Sequence, residues 1–452
     1  MSDPYSHRVA VVRTVPRYNE ESANRAVRQA LLALGTSWRE LVAPGDRVLL
    51  KPNFIRESHT NRPDEWKQII TDGTVIGAVA TQVAEAMDGR GTITIADAPQ
   101  TDSDFGRICE RAQIPHLQEK FRCEFSDIRL EVLDLRREVW ETRSGVVIER
   151  RQLPEDPRGY TKIDLGSNSC FHGVPGRFYG ADYDTASTAA HHSNGVHEYL
   201  LSRSAMDADL FINLPKLKTH KKVGVTLSLK NLVGINGDKN FLPHFRIGTP
   251  GQGGDEFSDD RAMNKLQSRA ISSFKSFIRR AGPATRLWAP AVKRAGARFF
   301  GDSDKSVRSG NWHGNDTTWR MVLDLNKALF HFDGEGKPRS KPLRYLSIID
   351  GIIAGEGNGP MEADAKDCGV LIAGRNPVAT DFATTMLMGF DWQKVPTVRE
   401  AFRIQNLPLA DFSPDEIEIL PGLGEPFRFR PHFGWVGEIE APIRRGTEVL
   451  TR

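Results

Sequence analysis

The sequence predicts an α/β fold: a mostly parallel sheet with helices on both faces, plus a helical insertion and a small β-hairpin excursion. Two observations predict it. Short runs rich in Val, Ile and Leu recur along the whole chain, and segments with helical spacing separate them. Continuous apolar runs are typical of strands buried on both faces, and their alternation with helices favours parallel pairing.

Each element follows from its own pattern. The apolar runs predict strands at residues 9–12, 48–50, 93–96, 210–214, 346–349 and 370–373. Helical spacing predicts helices at residues 20–34, 74–87, 226–233 and 378–387.

Two segments depart from this alternation. Residues 234–340 contain no convincing core strand, so we expect one α/β core domain from 1–234 and 341–452, with 235–340 as a helical, basic insertion or cap. In residues 131–160, charged residues alternate with Val, Leu and Ile around Arg143-Ser144-Gly145, which favours an exposed hairpin.

Composition excludes several classes of protein. The net charge is only +3, with 39% hydrophobic and 26% charged residues, as in ordinary globular proteins. Every apolar run falls short of the ~18 residues of a membrane-spanning helix, and the polar first residues lack a signal core. The four cysteines form no CxxC pair, so an iron–sulfur site is not expected. We therefore expect a cytoplasmic protein.

Polar residues follow two of the predicted strands. Lys51-Pro52-Asn53 ends the second strand, and Asp97 ends the third. Ligands of open α/β sheets collect at the carboxyl ends of strands. Lys51 could bind an anion or be a solvated lysine beside a turn. Asp97 could hold a magnesium ion, orient a substrate hydroxyl or cap a helix.

Residues 216–246 carry seven Lys or Arg and one acid, Asp238. Such an excess argues for an anionic ligand, although solubility charge is the alternative. In extended backbone Lys216 and Lys218 point the same way, and lysine suits phosphate as a point charge. The residues predicted to bind the anion are Lys51, Asn53, Lys216, Lys218, Lys230 and Asn231.

Three carboxylates are candidates for metal coordination or general base work: Asp350, Glu356 and Asp381. Turn or cap roles are the alternative for all three. We expect Mg²⁺ or another divalent cation, if any. The glycines of 355–359 have the spacing GxGxG, and no Walker motif occurs, so nicotinamide, flavin and P-loop nucleotide sites are disfavoured.

The twelve histidines are unevenly spread, and no HExxH motif occurs. A redox metal held by distant His and carboxylate residues is an open alternative. Its first candidate ligands are His191, His192, His220, His244 and His313.

Residues 261–300 combine ten Lys or Arg with Trp and Phe, and contain no Asp or Glu. A basic amphipathic helix of this kind fits the surface of an anionic membrane. Its aromatic residues could equally pack on the protein's own sheet. Nucleic acid is disfavoured because no recognised motif supports it.

Six separated motifs, taken together in this order, resemble the family called domain of unknown function 362. They are Lys51-Pro52-Asn53, Asp97-Ala98-Pro99, 213–220 (NLPKLKTH), 230–234 (KNLVG), Asp350-Gly351 and 376–381 (NPVATD). The resemblance covers roughly residues 45–390 and implies a domain but no reaction. Some relatives carry ferredoxin-like cysteine motifs that are absent here, so electron transfer does not follow. The insertion at 235–340 resembles that of a longer subgroup.

These observations favour an enzyme acting on a phosphorylated or otherwise anionic small molecule. His220, Asp97 and Asp350 are its candidate catalytic residues, His220 because its ordinary pKa lies near neutrality. Two alternatives stay open: a metal-dependent oxidative enzyme with His and carboxylate ligands, and a noncatalytic membrane-surface binding protein. The second would make peripheral contact with the inner membrane surface through residues 261–300.

Overall fold

A computed structural model describes residues 7–143, 146–180, 185–269, 273 and 307–442. Its centre is a ten-stranded sheet, and three two-stranded sheets lie outside it. The strands, in chain order, are β1 (Arg8–Arg13), β2 (Arg47–Pro52), β3 (Gly91–Asp97), β4 (Ile128–Asp134), β5 (Glu138–Arg143), β6 (Val146–Gln152), β7 (Tyr160–Asp164), β8 (Phe178–Tyr179), β9 (Glu198–Ser202), β10 (Leu210–Leu214), β11 (Lys216–His220), β12 (Gly224–Thr226), β13 (Phe245–Arg246), β14 (Arg344–Asn358), β15 (Glu362–Gly374) and β16 (Glu418–Leu420).

The helices have these bounds in chain order: α1 (Glu20–Leu34), α2 (Trp38–Leu41), α3 (Gly73–Ala86), α4 (Phe105–Arg111), α5 (Ile114–Glu124), α6 (Thr185–His191), α7 (Arg203–Met206), α8 (Ser228–Asn231), α9 (Thr318–His331), α10 (Pro377–Met388) and α11 (Pro396–Ala401). Residues 262–269 are also helical. Among the residues described, no helix has the length and apolar character needed to cross a bilayer.

Strand order in the large sheet is β16-β1-β15-β14-β10-β2-β3-β4. The pairs from β14 through β10, β2 and β3 to β4 are parallel, whereas β15 is antiparallel to both β1 and β14. Strand β11 also pairs in parallel with β14, and β12 returns antiparallel to β11. The predicted mostly parallel α/β sheet is therefore confirmed.

Helices cover both faces of the sheet, as the alternation within β2 shows. Val48 and Leu50 belong to one apolar core with helices α1 and α3, whereas Leu49 belongs to a second core that includes helix α9. A third core joins strands β1 and β15 to α10. Burial on both faces explains why these strands read as unbroken apolar runs.

Local signals set the helix ends. Asn19 accepts a hydrogen bond from the Ser22 amide at 3.1 Å, which caps helix α1 at its first turn. Gly35 ends the same helix with a φ of 71°, a conformation that glycine adopts without steric cost. Asp72 caps α3 by accepting from the Thr74 amide at 2.9 Å.

The two predicted departures from the alternation have different outcomes. Strands β5 and β6 form an antiparallel hairpin outside the large sheet, which confirms the hairpin excursion. Within the predicted insertion 235–340, helix α9 is not peripheral, since its buried side chains lie in the second core. Most of the basic segment 261–300 lies outside the described residues, so its predicted amphipathic helix stays a prediction.

The predicted helix at 226–233 is confirmed for residues 228–233 and wrong at its start. Residues 224–226 form β12, which pairs with β11, and only Ser228–Asn231 is α-helical before a 3-10 turn at Leu232–Ile235. Gly224 has a φ of 80°, and Val225 and Thr226 are β-branched, so this stretch favours a bend and a strand over a helix.

Candidate functional site

A buried ion pair lies at the carboxyl ends of β2 and β3. Lys51 Nζ is 2.8 Å from Asp97 Oδ1, and the two side chains are 0% and 4% exposed. Lys51 also donates to the Pro52 carbonyl at 2.8 Å, and Asp97 Oδ2 accepts from the Phe54 amide at 2.6 Å. Burial lowers the pKa of Lys51, and the neighbouring Asp97 partly opposes that shift.

Gly234 passes directly over this ion pair. A Cβ atom at position 234 would lie 1.8 Å from Asp97 Oδ1 and 2.7 Å from Lys51 Nζ. The Gly234 carbonyl accepts from the Ala98 amide at 2.7 Å, which fixes the segment after α8 against β3. Only glycine fits here, because any side chain would displace the ion pair.

Three asparagines connect β2, β10 and α8. Asn53 Nδ2 donates to Asn231 Oδ1 at 2.9 Å, and Asn231 Nδ2 donates to the Lys51 carbonyl at 3.0 Å and to Asn213 Oδ1 at 2.7 Å. Asn213 in turn donates to the Ser228 carbonyl at 2.9 Å. Asn53 Oδ1 is buried without a hydrogen-bond partner among the described residues, so it is an acceptor available to a ligand.

Asp381 of α10 holds the N-terminus of α8. Its two oxygens accept from the Ser228 amide at 2.7 Å and the Leu229 amide at 2.9 Å. Burial raises the pKa of Asp381 to about 7, while these hydrogen bonds oppose the shift. The carboxylate thus orients the short helix that carries Lys230 and Asn231.

Lys216 forms a second buried ion pair, with Asp350 of β14. Lys216 Nζ is 2.9 Å from Asp350 Oδ2, both side chains are 0% exposed, and Tyr18 OH lies 2.6 Å from the same Nζ. Asp350 also accepts from Tyr18 OH at 3.0 Å and from the Asp72 amide at 3.0 Å. Asp350 therefore accepts hydrogen bonds from Lys216 of β11, from Tyr18 and from the residue before α3. These bonds link β11, β14 and the start of α3.

Lys218 has no carboxylate partner within the described part of the chain. It is fully buried, and its Nζ donates to the Ile69 carbonyl at 2.5 Å. Burial holds its pKa well below the usual range, and the neighbouring cations Lys216 and Lys230 lower it further. Lys218 is therefore a buried amine without an ion-pair partner among the described residues, although Asp97 favours its charged form.

Two further lysines approach the first ion pair from the segment after β12. Lys239 Nζ donates to the Ala98 carbonyl at 2.8 Å, and burial lowers its pKa to about 8. Lys230, on α8, makes no hydrogen bond or ion pair with any described residue. Burial lowers its pKa to about 7, aided by Lys239 and Lys51 and opposed by Asp97. We call Lys51, Lys218, Lys230 and Lys239 around Asp97 the lysine cluster.

Histidines adjoin the lysine cluster. His220 Nδ1 accepts from the Lys222 amide at 3.0 Å, so the neutral ring carries its proton on Nε2. Burial, together with Lys230 and Lys221, holds the pKa of His220 well below its usual value. His220 therefore does not have the near-neutral pKa on which its predicted role as an acid or base depended. Its Nε2–H can still donate a hydrogen bond.

The basic character continues beyond His220. Burial lowers the pKa of Lys222 to about 7, and its Nζ donates to the Ser309 carbonyl. Burial and the nearby lysines also lower the pKa of both His244 and His432 to about 3. These two rings are neutral at physiological pH, so the positive charge of this region resides in its lysines.

The structure brings together part of the predicted site. Lys51, Asn53, Lys218, Lys230 and Asn231 meet around Asp97 at the strand ends, and Lys216 lies close enough to affect the pKa of Lys218.

Glu356 lies elsewhere, paired with Lys366 at 3.0 Å and Arg430 at 3.7 Å. Asp350 is bonded to Lys216, and Asp381 to backbone amides. Within the ranges the structure describes, no three His, Cys, Asp or Glu side chains are arranged to hold a metal ion.

Two of the predicted histidine ligands, His191 and His192, bond to neighbouring groups of the protein. His191 Nδ1 lies 2.9 Å from Glu198 Oε2, and His192 Nε2 lies 2.9 Å from the Phe241 carbonyl oxygen. His192 and His197 pack against the ring of Phe171.

Sequence reasoning missed Tyr18, Asp72 and His432. Tyr18 is 198 residues from Lys216 in sequence, and no local pattern links the two. A signal did exist for Asn213, which stands in the motif NLPKLKTH at the end of a predicted strand.

A model of the family described as domain of unknown function (DUF362) matches residues 163–386. The chain contains a DUF362 domain. The matched range of DUF362 runs from β7 into α10, and so includes Lys216, Lys218 and Lys230, whereas Lys51 and Asp97 precede it.

One curated relative of the chain, from Synechocystis sp., is a thylakoid-associated protein. It is 26% identical over 393 residues, which cover 87% of the present chain and 78% of the relative. A crystal structure of a protein from Thermotoga maritima matches at 9% identity with a TM-score of 0.33. The match covers 79% of the present chain and 56% of the length of the Thermotoga maritima protein. That likeness is too weak to bear on fold or function.

Proposed function

We propose that the lysine cluster binds the anionic group of a small molecule, and that the protein is an enzyme acting on a phosphorylated or otherwise anionic substrate. The observation that carries this proposal is the charge imbalance at the strand ends. Four lysines surround Asp97, which is paired with Lys51 alone among the residues described.

The imbalance costs free energy until an anion arrives. An unpaired cation in a low-dielectric interior is unfavourable, so the lysines lower their pKa values and tend to shed protons. A bound phosphate or carboxylate would reverse this shift, because it favours the charged ammonium forms. Lysine point charges suit a phosphate group, which accepts from several directions.

Neutral donors complete the proposed site. His220, with its proton on Nε2, and the second N–H of the Asn53 amide could donate to uncharged oxygens of the ligand. Both N–H groups of Asn231 are already bonded, so its role is to position Asn53 and Lys51. Asn53 Oδ1 is available to accept from a ligand hydroxyl. In this proposal Asp97 orients Lys51 and is the carboxylate closest to the reaction, while Asp350 supports the sheet through Lys216. A divalent cation stays a prediction; it would enter with the substrate phosphate.

The test is anion binding to matched variants. Sulfate, phosphate and pyrophosphate are titrated by calorimetry and by thermal unfolding into the native protein and into Lys230→Met and Lys337→Met. Lys337 is a control because its side chain is 72% exposed and pairs with Glu335. We expect Lys230→Met to weaken binding about tenfold or more, the loss of one charge-assisted contact, and Lys337→Met to leave it unchanged. Absence of binding by all three anions to the native protein would refute the proposal.

A second candidate function is peripheral contact with an anionic membrane. Two observations favour it: the ten Lys or Arg of residues 261–300, and the relative's description as thylakoid-associated. Flotation with vesicles of phosphatidylglycerol and phosphatidylcholine tests it. We expect binding that disappears at high salt and in a chain whose lysines and arginines at 275–298 are replaced by glutamine. Flotation equal with neutral vesicles would contradict this candidate.

A further inference from the structure

Lys230 differs from the other lysines of the cluster in its bonding. Lys51 is paired with Asp97, Lys218 donates to Ile69, and Lys239 donates to Ala98. Lys230 has no partner among the described residues, and its side chain is only partly buried. Its amine is therefore the one amine of the cluster that a ligand could engage without breaking an existing contact.

We propose that Lys230 is a nucleophilic amine that forms an imine with the carbonyl group of an anionic aldehyde or ketone. This inference rests on the proposed function, because the same lysine cluster would hold the phosphate or carboxylate of that substrate. Lys218 and Lys239 would bind the anionic group, and Lys230 would attack the carbonyl carbon.

The surroundings of Lys230 favour the free amine. Like charges disfavour its protonation from two sides, Lys239 and Lys51, while Asp97 favours it. Lys218 and His220 also interact with it electrostatically. Burial and these charges place the pKa of Lys230 at about 7, so a large fraction of the amine is unprotonated at neutral pH. An amine desolvated beside other cations is a recurrent form of activated nucleophile.

The backbone of Lys230 is fixed by its helix. Asp381 bonds the first two amides of α8, and Asn231, the next residue, bonds Asn213 and the Lys51 carbonyl. These bonds fix the backbone of Lys230 relative to Lys51 and Asn213, so only the torsions of its own side chain are left to place the amine. A fixed backbone lowers part of the entropic cost of attack.

The proposed step is balanced without a further reactant. The nitrogen lone pair attacks the carbonyl carbon, the C=O π electrons move to oxygen, and a proton passes from nitrogen to that oxygen. The resulting carbinolamine loses water, and a C=N bond replaces the C=O bond. Addition of water reverses the sequence and releases the carbonyl compound and the amine.

Reductive trapping tests the inference. Pyridoxal 5′-phosphate is the probe, because it carries an aldehyde and a phosphate, and pyridoxal without phosphate is the matched comparison. After reduction with borohydride, peptides are mapped by mass spectrometry. We expect label at Lys230 with the phosphorylated probe, protection by excess sulfate, and at least about a tenfold lower yield with pyridoxal.

Two variants and a pH profile make the result decisive. Lys230→Arg keeps the charge and removes the nucleophile, so labelling of the cluster should disappear, whereas Lys337→Arg should leave it intact. In the native protein, labelling of Lys230 should be half-maximal near pH 7, well below exposed lysines, and this readout needs no variant. Label spread over exposed lysines, with sulfate still stabilising the protein, would overturn the imine but leave the anion site standing. If sulfate binds nowhere, the proposed function itself fails.

Discussion

The amine of Lys218, which is fully buried, donates a hydrogen bond to the backbone carbonyl of Ile69 at 2.5 Å. Neighbouring Lys216 and Lys230 add to the effect of burial, and together they hold the pKa of Lys218 well below its ordinary 10.5. This amine therefore links the stability of the protein to pH in a direction that can be worked out.

Replacing Lys218 with methionine should flatten the dependence of stability on pH. Between the folded pKa and about 10.5, the unfolded chain binds the proton and the folded chain does not. The free energy of unfolding of the native protein therefore rises with pH over that window. In Lys218→Met this contribution is lost. Urea unfolding at several pH values from 6 to 10, with Lys337→Met as control, measures the slopes; equal slopes would contradict the assignment.

Sulfate should stabilise the protein more at pH 6 than at pH 9. Sulfate keeps its double negative charge across this range, so changes in binding report the protein alone. The pKa values of Lys230 and Lys222 are about 7, and that of Lys239 is about 8. These amines are charged at pH 6 and largely neutral at pH 9. We expect the dissociation constant, measured by calorimetry, to rise by about tenfold or more over this range; a constant value would count against the lysine cluster.

Asp97→Asn should destabilise the protein strongly, because it leaves Lys51 buried without a carboxylate. Breaking one side of a buried ion pair costs about 3–5 kcal/mol. The paired variant Lys51→Met with Asp97→Asn should recover at least half of that loss, since it removes the orphaned cation. Urea unfolding of the three proteins at pH 7 measures both values. A loss in Asp97→Asn no larger than in the double variant would show that the pair is unimportant for stability.

Alanine should have opposite effects at two glycines. At Gly234 the new Cβ would meet Asp97 Oδ1 at 1.8 Å, so Gly234→Ala should unfold more readily and lose sulfate binding. Gly77 lies within α3, and its nearest neighbour would be Leu117 Cδ1 at 3.8 Å. Gly77→Ala should therefore raise the free energy of unfolding by about 0.5–1 kcal/mol. Thermal unfolding of both variants measures the two changes in stability. If both variants are stabilised or both are destabilised, the prediction is contradicted.

Much of the fold was predictable because its strands are buried on both faces and carry an unmistakable apolar signal. Helix α1 begins at Glu20 and ends at Leu34, the bounds that its spacing predicts. The bounds of the elements after Gly224 were not predictable, because this short segment contains a strand, a single α-helical turn and a 3-10 turn. Periodicity needs more residues than any of these provides.

The candidate site was predictable where its residues share one strand end or one motif. The lysines of β2 and β11 and the Lys230-Asn231 pair were found in this way. The partners of Lys216 and Lys218 were not, because Tyr18 and Ile69 reach them across 198 and 149 positions of sequence. Only the packing of α1 and α3 against the sheet brings these groups together.

The close approach of Gly234 to the Lys51–Asp97 pair also bears on how such chains diverge. A side chain at position 234 and an ion pair between positions 51 and 97 cannot coexist in this geometry. Among descendants of a common ancestor, the three positions should therefore change together or not at all. Positions 51 and 97 precede the matched DUF362 range, and position 234 lies inside it. The steric constraint therefore couples the evolution of two segments that are distant in sequence.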